Sequence, residues 1–343
     1  MKVAIVAEQL RRSAPGGIGT YVRGLLAGIG SLGPDAPDAA PWTSPLPGPL
    51  ATRSWDRGLG RGPRADLVHA PSLAFPPTRA PLVVTVHDVA WRAGHGVPER
   101  GRAWHEAGLR RAQRAGATLL VPDERLAAAL RDEGAARVRT LDGPLYGCDH
   151  LPPPDEGGAG AVLERLGVTG PFVLSVATLE PRKNLARLVD AFGRARPQMG
   201  ADWSLVVVGA QGWGDALPPA PSVHLAGRVD DAVVAALYRR ASLVAYVPLL
   251  EGFGLPAVEA MHAGVAVVAS AVPSVESSVG DAALVVDPAD ADAIAGAIVA
   301  VATEPALRAS LIDAGTRHAS GLTWSAAARR HVELWRDVAG GER

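Results

Sequence analysis

The chain has 343 residues, with 34 Lys plus Arg against 35 Asp plus Glu and a formal net charge of −1. That length allows about two domains of 100–200 residues, and the charge balance supplies no global drive toward nucleic acid or membrane. The one cysteine, Cys148, excludes an internal disulfide framework and fits a reducing compartment.

Met1–Glu8 carries one basic residue and too short an apolar run for a signal peptide, so it reads as a buried first strand. No run of about 18 apolar residues lacks charges or breakers, so no membrane span is expected. A cytoplasmic protein is expected, with a peripheral position at the inner membrane face as an option. The next chemistry-bearing segment, Ser13 to Val22, places Gly16 and Gly17 before a helix. Glycines there let backbone approach a ligand, and the positive helix end suits an anion. A Gly-Gly turn into a helix is also ordinary structural punctuation.

Further strands are expected at 66–70, 82–87, 118–121 and 137–140, with helices at 18–31, 100–115 and 123–133. The Pro- and Gly-rich stretch 33–63 reads as a long irregular connection, part of it ordered or a lid. The strand Val83–Val86 ends in His87, either a satisfied structural histidine or a functional one at a strand's carboxyl end. The basic run from Arg100 to Arg114 could dock on anionic lipid, although a solvated cationic helix face is the preferred reading.

Residues 151–160, with three prolines and three glycines, read as a linker. A second α/β series follows, with strands near 171–177, 204–209, 222–226, 243–247, 265–269 and 283–286. Its helices are expected near 184–196, 230–240, 255–263, 290–303 and 305–316, before one amphipathic helix from Thr323. The expected domains are 1–150, 151–322 and a terminal helix at 323–343 crossing back toward the first.

Two segments of this half carry charge. In Leu179-Glu180-Pro181-Arg182-Lys183-Asn184 a guanidinium fork and an ammonium stand together, a pairing suited to phosphate or to a solvated helix start. Cations at a helix N-terminus oppose its dipole, so Lys183, one of two lysines in the chain, calls for an anionic partner. In Leu250 to Met261 a Gly-rich loop carries Glu251, and a helix from about Leu255 carries Glu259. The loop's N–H groups suit a diphosphate and the acceptor-only carboxylates suit hydroxyls, which together describe a sugar nucleotide. Asp290-Ala291-Asp292 superficially matches a metal motif, but its place at a helix start favours capping. No His/Cys cluster has zinc spacing.

These segments, in this order, resemble the retaining family-4 glycosyltransferases, most strongly from Phe172 to Pro288. The resemblance implies the GT-B fold: two doubly wound Rossmann-like α/β domains facing a cleft, with the C-terminal helix packing back on the first. It implies transfer of a hexose from a nucleotide-sugar donor, GDP-mannose-like ahead of UDP-sugar, to an unidentified hydroxyl acceptor in glycan or glycolipid biosynthesis. Retention, no metal and no cofactor beyond the nucleotide-sugar co-substrate are implied; nucleic acid is not a partner, and contact with anionic membrane is a candidate. By the same resemblance Glu251 would hold the donor sugar, Glu259 the ribose, and Arg182 and Lys183 the diphosphate. Phe253, Gly254 and Leu255 would add backbone contacts, Gly16 and Gly17 would close from the other domain, and Arg228 and Val229 would lie beside the base. His87 matches the histidine near the reacting sugar, so His87, Glu251 and Lys183 are the expected catalytic residues. Ala177 stands where many relatives carry an arginine, and Leu145–Asp149 replaces the usual Pro-Asn-Gly turn. A sugar-nucleotide epimerase of the same fold and a non-catalytic donor-binding partner of a glycan assembly complex are the alternatives.

Overall fold

The computed structural model describes residues 1–12, 16–93, 99–214, 217 and 219–341. The described chain forms two compact units, Met1–His150 with Leu322–Arg343, and Leu151–Gly321. Ser13, Ala14 and Pro15 of the first glycine segment lie outside the described residues.

Unit 1 is a parallel sheet of β1 (Lys2–Val6), β2 (Asp38–Trp42), β3 (Leu67–Ala70), β4 (Leu82–Thr85), β5 (Thr118–Leu120) and β6 (Val138–Arg139) in the order β2-β1-β3-β4-β5-β6. Its helices are α1 (Gly16–Gly30), α2 (Gly48–Asp56), α3 (Glu99–Arg114) and α4 (Glu124–Asp132). Strands β3 to β5 read as continuous apolar runs because both faces are covered: Leu67, Val68, Val84, Leu119 and Leu120 are fully buried. Burying each such side chain contributes about 1.5–3 kcal/mol.

Of the two readings of 33–63, the partly ordered one holds, since the stretch supplies β2 and α2. Pro41 is tolerated in β2 because that strand is an edge, where one side needs no donor. Pro49 sits in the first turn of α2, where a missing N–H costs nothing. The buried Trp55 of α2 stacks on Trp42 at 6.0 Å, which ties both elements to the core.

Unit 2 contains α5 (Glu156–Leu166), β7 (Phe172–Val176), α6 (Leu185–Met199), β8 (Ser204–Val208), β9 (Val223–Gly227), α7 (Asp231–Arg240), β10 (Leu243–Tyr246) and α8 (Leu255–His262). It continues through β11 (Val267–Ser270), α9 (Pro273–Val279), β12 (Leu284–Val286), α10 (Ala291–Thr303) and α11 (Pro305–Ser320). The sheet order is β12-β11-β10-β7-β8-β9, all parallel. This is the dinucleotide-fold order, with β7 as first strand and the topological switch between β7 and β10. Phe192 and Leu188 of α6 pack with Ile294 and Ile298 of α10 against Val207 and Ala245 to form the core.

The linker reading of 151–160 holds for its first half, where unit 2 begins at Leu151, and is corrected in its second, because α5 begins at Glu156. Asp155 caps it by accepting from the Gly158 N–H at 2.9 Å, and Gly167 closes it in the left-handed region at φ 69°. A Cβ on Gly158 would lie 2.7 Å from Val233 of α7, so that glycine serves helix packing rather than chain freedom.

The final helix, α12 (Trp324–Gly340), belongs to unit 1. Thr323 caps it, the Trp324 N–H donates to Asp149 at 2.7 Å, and the Cys148 N–H donates to the Leu322 carbonyl. A Cβ on Gly24 would meet the Trp324 ring at 2.1 Å, and one on Gly28 the Trp324 carbonyl oxygen at 2.2 Å. Two glycines four apart on α1 thus form the shallow face on which α12 rests.

Beneath that contact lies a buried polar chain. His69 Nε2 is 2.8 Å from Thr85 Oγ1, Thr85 Oγ1 is 3.3 Å from the Tyr21 hydroxyl, and Tyr21 donates to His331 Nε2 at 2.6 Å. His331 Nδ1–H donates to the Ala327 carbonyl, which fixes its Nε2 as the acceptor. Burial keeps both imidazoles neutral, pushing His69 well down and His331 to about 4 despite the Ala327 carbonyl.

Candidate active site

Ligands of doubly wound sheets bind beyond the carboxyl ends of the strands at the switch point. In unit 2 the chain leaves β7 toward Leu179–Asn184 and leaves β10 toward Leu249–Leu255, so the two charged segments meet there. Asn184 joins them. Held in the left-handed region at φ 60°, its amide donates to the Val247 carbonyl at 3.0 Å and the Pro288 carbonyl at 2.8 Å.

Arg182 and Lys183 lie in a single 3-10 turn before α6. The Lys183 ammonium is ion-paired with Glu251 and donates to the Tyr246 hydroxyl at 3.0 Å. Tyr246 in turn donates to the same Glu251 oxygen. Arg182 Nε pairs with Glu180 at 2.6 Å, and its Nη1 lies 3.5 Å from Glu251. The anionic partner that Lys183 required is therefore Glu251 itself.

Burial raises the Glu251 carboxyl, but the Lys183 and Arg182 charges and the hydrogen bonds from Lys183 and Tyr246 outweigh it and hold it at about 2. A carboxyl held so low is an ionised acceptor, as the hydrogen bond from the Tyr246 hydroxyl requires. Burial raises Glu180 in the opposite direction, against the pull of Arg182 and Lys183. The Tyr246 hydroxyl is pushed well up by burial and by the Glu251 charge, so it stays protonated as a donor.

Gly254 caps α8 at φ 93°, a conformation that favours glycine whatever the space. A Cβ there would lie 3.6 Å from the Tyr246 ring, so the loop carrying Phe253, Gly254 and Leu255 runs against the same tyrosine. Ser274 of α9 holds this loop by donating to the Glu251 carbonyl. One turn into α8, Glu259 is buried and accepts from the Tyr238 hydroxyl at 3.0 Å. Burial and the Glu259 charge push that phenol well up. Arg228 and Val229 follow Gly227 at the carboxyl end of β9, the edge strand two positions from β7.

Unit 1 carries the remaining expected residues. Gly16 and Gly17 open α1, and a Cβ on either meets nothing within 4 Å, so both face open space. His87 follows β4, donating from Nε2 to the Pro71 carbonyl at 2.8 Å and accepting at Nδ1 from the Tyr146 hydroxyl. Burial lowers its pKa despite that carbonyl and the Asp88 charge, so the ring is neutral and both nitrogens are engaged. Its ring lies edge-on to Tyr21 at 5.0 Å. His87 also lines a cavity of about 900 Å³ at the carboxyl ends of β1, β3 and β4. This is the switch point of the unit 1 sheet.

Tyr246, Tyr238, Asn184 and Ser274 were not singled out from sequence. Asp290 caps α10, accepting from the Asp292 and Ala293 N–H groups at 2.9 and 3.0 Å, and Asp292 pairs with Arg194. Among the described residues no three His, Cys, Asp or Glu side chains are grouped to hold a metal ion, and no single helix is long and apolar enough to cross a membrane.

Residues 164–318 match the family Glycosyl transferases group 1. The chain is 34% identical over 161 residues to the O-antigen chain mannosyltransferase B of Escherichia coli, covering 45% of this chain and 42% of that protein. It is 35% identical over 173 residues to the phosphatidyl-myo-inositol mannosyltransferase of Mycobacterium tuberculosis, covering 47% of this chain and 45% of that protein. The matched segment thus spans less than half of each curated relative. Among solved structures, sucrose-phosphate synthase from Thermosynechococcus elongatus has a TM-score of 0.71 at 21% identity, covering 98% of both chains. Anabaena HepE in complex with UDP and glucose also has a TM-score of 0.71, at 18% identity, covering 98% of this chain and 99% of that one. At these identities the likeness concerns the fold.

Proposed function

Because residues 164–318 form a glycosyl transferases group 1 domain within a GT-B fold, we propose that the chain transfers a hexose from a nucleoside-diphosphate sugar to a hydroxyl acceptor. The observation that carries this reading is the Arg182–Lys183–Glu251–Tyr246 cluster at the switch point of the unit 2 sheet. Arg182, Lys183 and the N-terminus of α8 supply positive potential for a departing diphosphate. Glu251 receives sugar hydroxyls as an ionised acceptor, and Glu259, oriented by Tyr238, receives the ribose. Arg228 and Val229 border the base.

The names of the curated relatives favour a mannosyl donor, hence GDP-mannose ahead of UDP-glucose, although HepE carries UDP. The unit 1 cavity at the switch point of its sheet is assigned to the acceptor. His87, neutral and held at both nitrogens, orients the acceptor within that cavity. Charge on the leaving diphosphate is balanced by side chains and helix dipole rather than metal, and the anomeric configuration is retained.

The test is incubation with GDP-mannose and with UDP-glucose, with and without a panel of hydroxyl acceptors, in chelator. Acceptor-dependent release of free nucleoside diphosphate, with an α-linked product by one-bond carbon–proton coupling at the anomeric carbon, is expected. Product inversion or metal-dependent turnover contradicts the mechanism. Donor epimerised without acceptor establishes the epimerase alternative, and tight donor binding without turnover on any acceptor establishes a binding partner.

A further inference from the structure

Four charges meet at the unit 2 switch point, and they cancel before any ligand arrives. Arg182 and Lys183 of the 3-10 turn face two carboxylates, Glu180 at the start of the same turn and Glu251 in the loop after β10. Glu251 is assigned to the donor sugar, whereas Glu180 has no role so far. The loop after β10 packs on the turn through the Leu249 N–H, which donates to the Arg182 carbonyl at 2.8 Å. The segment after β8 packs on it through the Ala210 carbonyl, which accepts from the Leu179 N–H at 3.0 Å, and residues 209–214 carry no ionisable side chain. Arg187 of α6 is turned elsewhere, donating to Asn184 at 2.9 Å and to the Pro288 carbonyl at 3.1 Å.

The two carboxylates are held differently. Glu251 accepts from Lys183, from the Tyr246 hydroxyl and from the Gly252 N–H at 3.1 Å. The Glu180 side chain is only 3% exposed and caps no N–H of the turn it begins. Its Oε1 lies 2.6 Å from Arg182 Nε as an ion pair, yet among the described residues that oxygen has no aligned hydrogen-bond donor. A buried carboxylate held by charge alone has the weaker hold on its ionised form. Burial already raises the Glu180 carboxyl against the Arg182 and Lys183 charges, while Glu251, buried as well, is held at about 2 by Lys183 and Arg182.

A sugar nucleotide brings a diphosphate with two negative charges. Both its phosphates are diesters, with no proton to give or take near neutral pH. Placed in this cluster, that charge would join two carboxylates with only the two cations of the turn to balance them, which is costly away from bulk water. We propose that binding of a sugar-nucleotide diphosphate is coupled to uptake of one proton by Glu180, so that the cluster becomes cationic as the ligand enters. The proton passes from solvent to a Glu180 carboxylate oxygen, and the ion pair with Arg182 Nε gives way to a neutral carboxyl. The guanidinium and the Lys183 ammonium then face phosphate with one carboxylate of the cluster still charged. Glu180 sets the charge of the donor site without itself binding phosphate. The bound state holds the proton more tightly than the free state, so affinity is greatest where Glu180 is already protonated. It declines as pH rises through the raised Glu180 range, above the ordinary 4.5. This inference rests on the reading of unit 2 as the donor site.

The test is calorimetric titration of the full chain with GDP-mannose and with UDP-glucose at pH 5.5, 6.5 and 7.5, each in two buffers of different ionisation enthalpy. Net proton uptake is expected, with affinity falling severalfold from the lowest pH to the highest. Glu180→Gln, which fixes the neutral form, should take up no proton and should exceed wild-type affinity most at pH 7.5, the difference narrowing toward pH 5.5. Asp190→Asn, at an exposed position of α6, should keep the wild-type uptake. Binding without proton uptake, or uptake unchanged in Glu180→Gln, overturns the inference and leaves the donor site standing. A Glu180→Gln chain that binds more weakly at every pH assigns Glu180 to holding Arg182 in place and overturns it too. Where that variant does not fold, the wild-type comparison between buffers carries the test. If neither sugar nucleotide binds, the donor reading falls and this inference falls with it.

Discussion

The Lys183 ammonium and the Glu251 carboxylate form one ion pair across the β7–β10 switch point, with the Tyr246 hydroxyl bonded to both. Two residues 68 positions apart in the chain thus become a single unit. Each limits the charge the other offers a ligand, so their variants should act in opposite directions on diphosphate and on sugar.

Glu251→Gln keeps the side-chain shape and removes the charge that neutralises Lys183 and Arg182. Affinity for free nucleoside diphosphate should rise severalfold in calorimetry, while turnover of the sugar nucleotide falls about 100-fold or more. A parallel fall in both quantities would place Glu251 in general folding of the site.

Tyr238→Phe removes a donor to Glu259 at 3.0 Å. Nucleoside diphosphate should bind several-fold more weakly while inorganic diphosphate binds as before, since Glu259, proposed to receive the ribose, loses an orienting donor. Stability should drop by about 1 kcal/mol, the net worth of one such hydrogen bond, measured by urea unfolding.

His331 is held at about 4 against an ordinary 6.5, and His69 lies well below the same value. The unfolded chain therefore binds protons that the native state refuses. Their contribution is fully present above about pH 6.5 and is lost as pH falls toward about 4. Thermal unfolding midpoints should decline across that window. Tyr21→Phe/His331→Phe should flatten the decline, and at pH 8 it should be more stable than His331→Phe alone, which leaves the buried Tyr21 hydroxyl only its longer contacts to Thr85 and His69 at 3.3 and 3.5 Å. An unchanged slope in the double variant would count against this account.

Gly28→Ala places a methyl 2.2 Å from the Trp324 carbonyl oxygen, which is backbone and cannot swing aside. Destabilisation of about 1–3 kcal/mol is expected from overpacking α1 against α12. Gly30→Ala, with nothing within 4 Å, is the control and should be neutral or stabilising.

Much of this site was legible because its charged residues stand where apolar punctuation should be. Lys183 opposes a helix dipole, and Glu251 sits among Gly252, Gly254 and Pro256. Tyr246 was not legible: Leu243-Val244-Ala245-Tyr246 reads as a buried strand, which it is. That its hydroxyl meets Lys183 depends on β10 lying beside β7, a pairing of non-consecutive strands. Tyr238 hides in the same way on the buried face of α7. Strand β2 and helices α2 and α5 escaped for another reason. Pro41, Pro49 and Gly158 each mimic loop composition while serving an edge, a first turn and a close helix contact.

We propose that unit 2 binds a nucleoside-diphosphate sugar through Lys183. The most direct measurement is calorimetric titration of GDP, UDP, GDP-mannose and UDP-glucose into the wild-type chain and Lys183→Ala. Saturable binding of at least one nucleotide pair is expected, weakened about 10- to 100-fold in the variant, as for a charge-assisted hydrogen bond of about 1.5–3 kcal/mol. Absence of nucleotide binding, or equal affinity in wild type and Lys183→Ala, would contradict it.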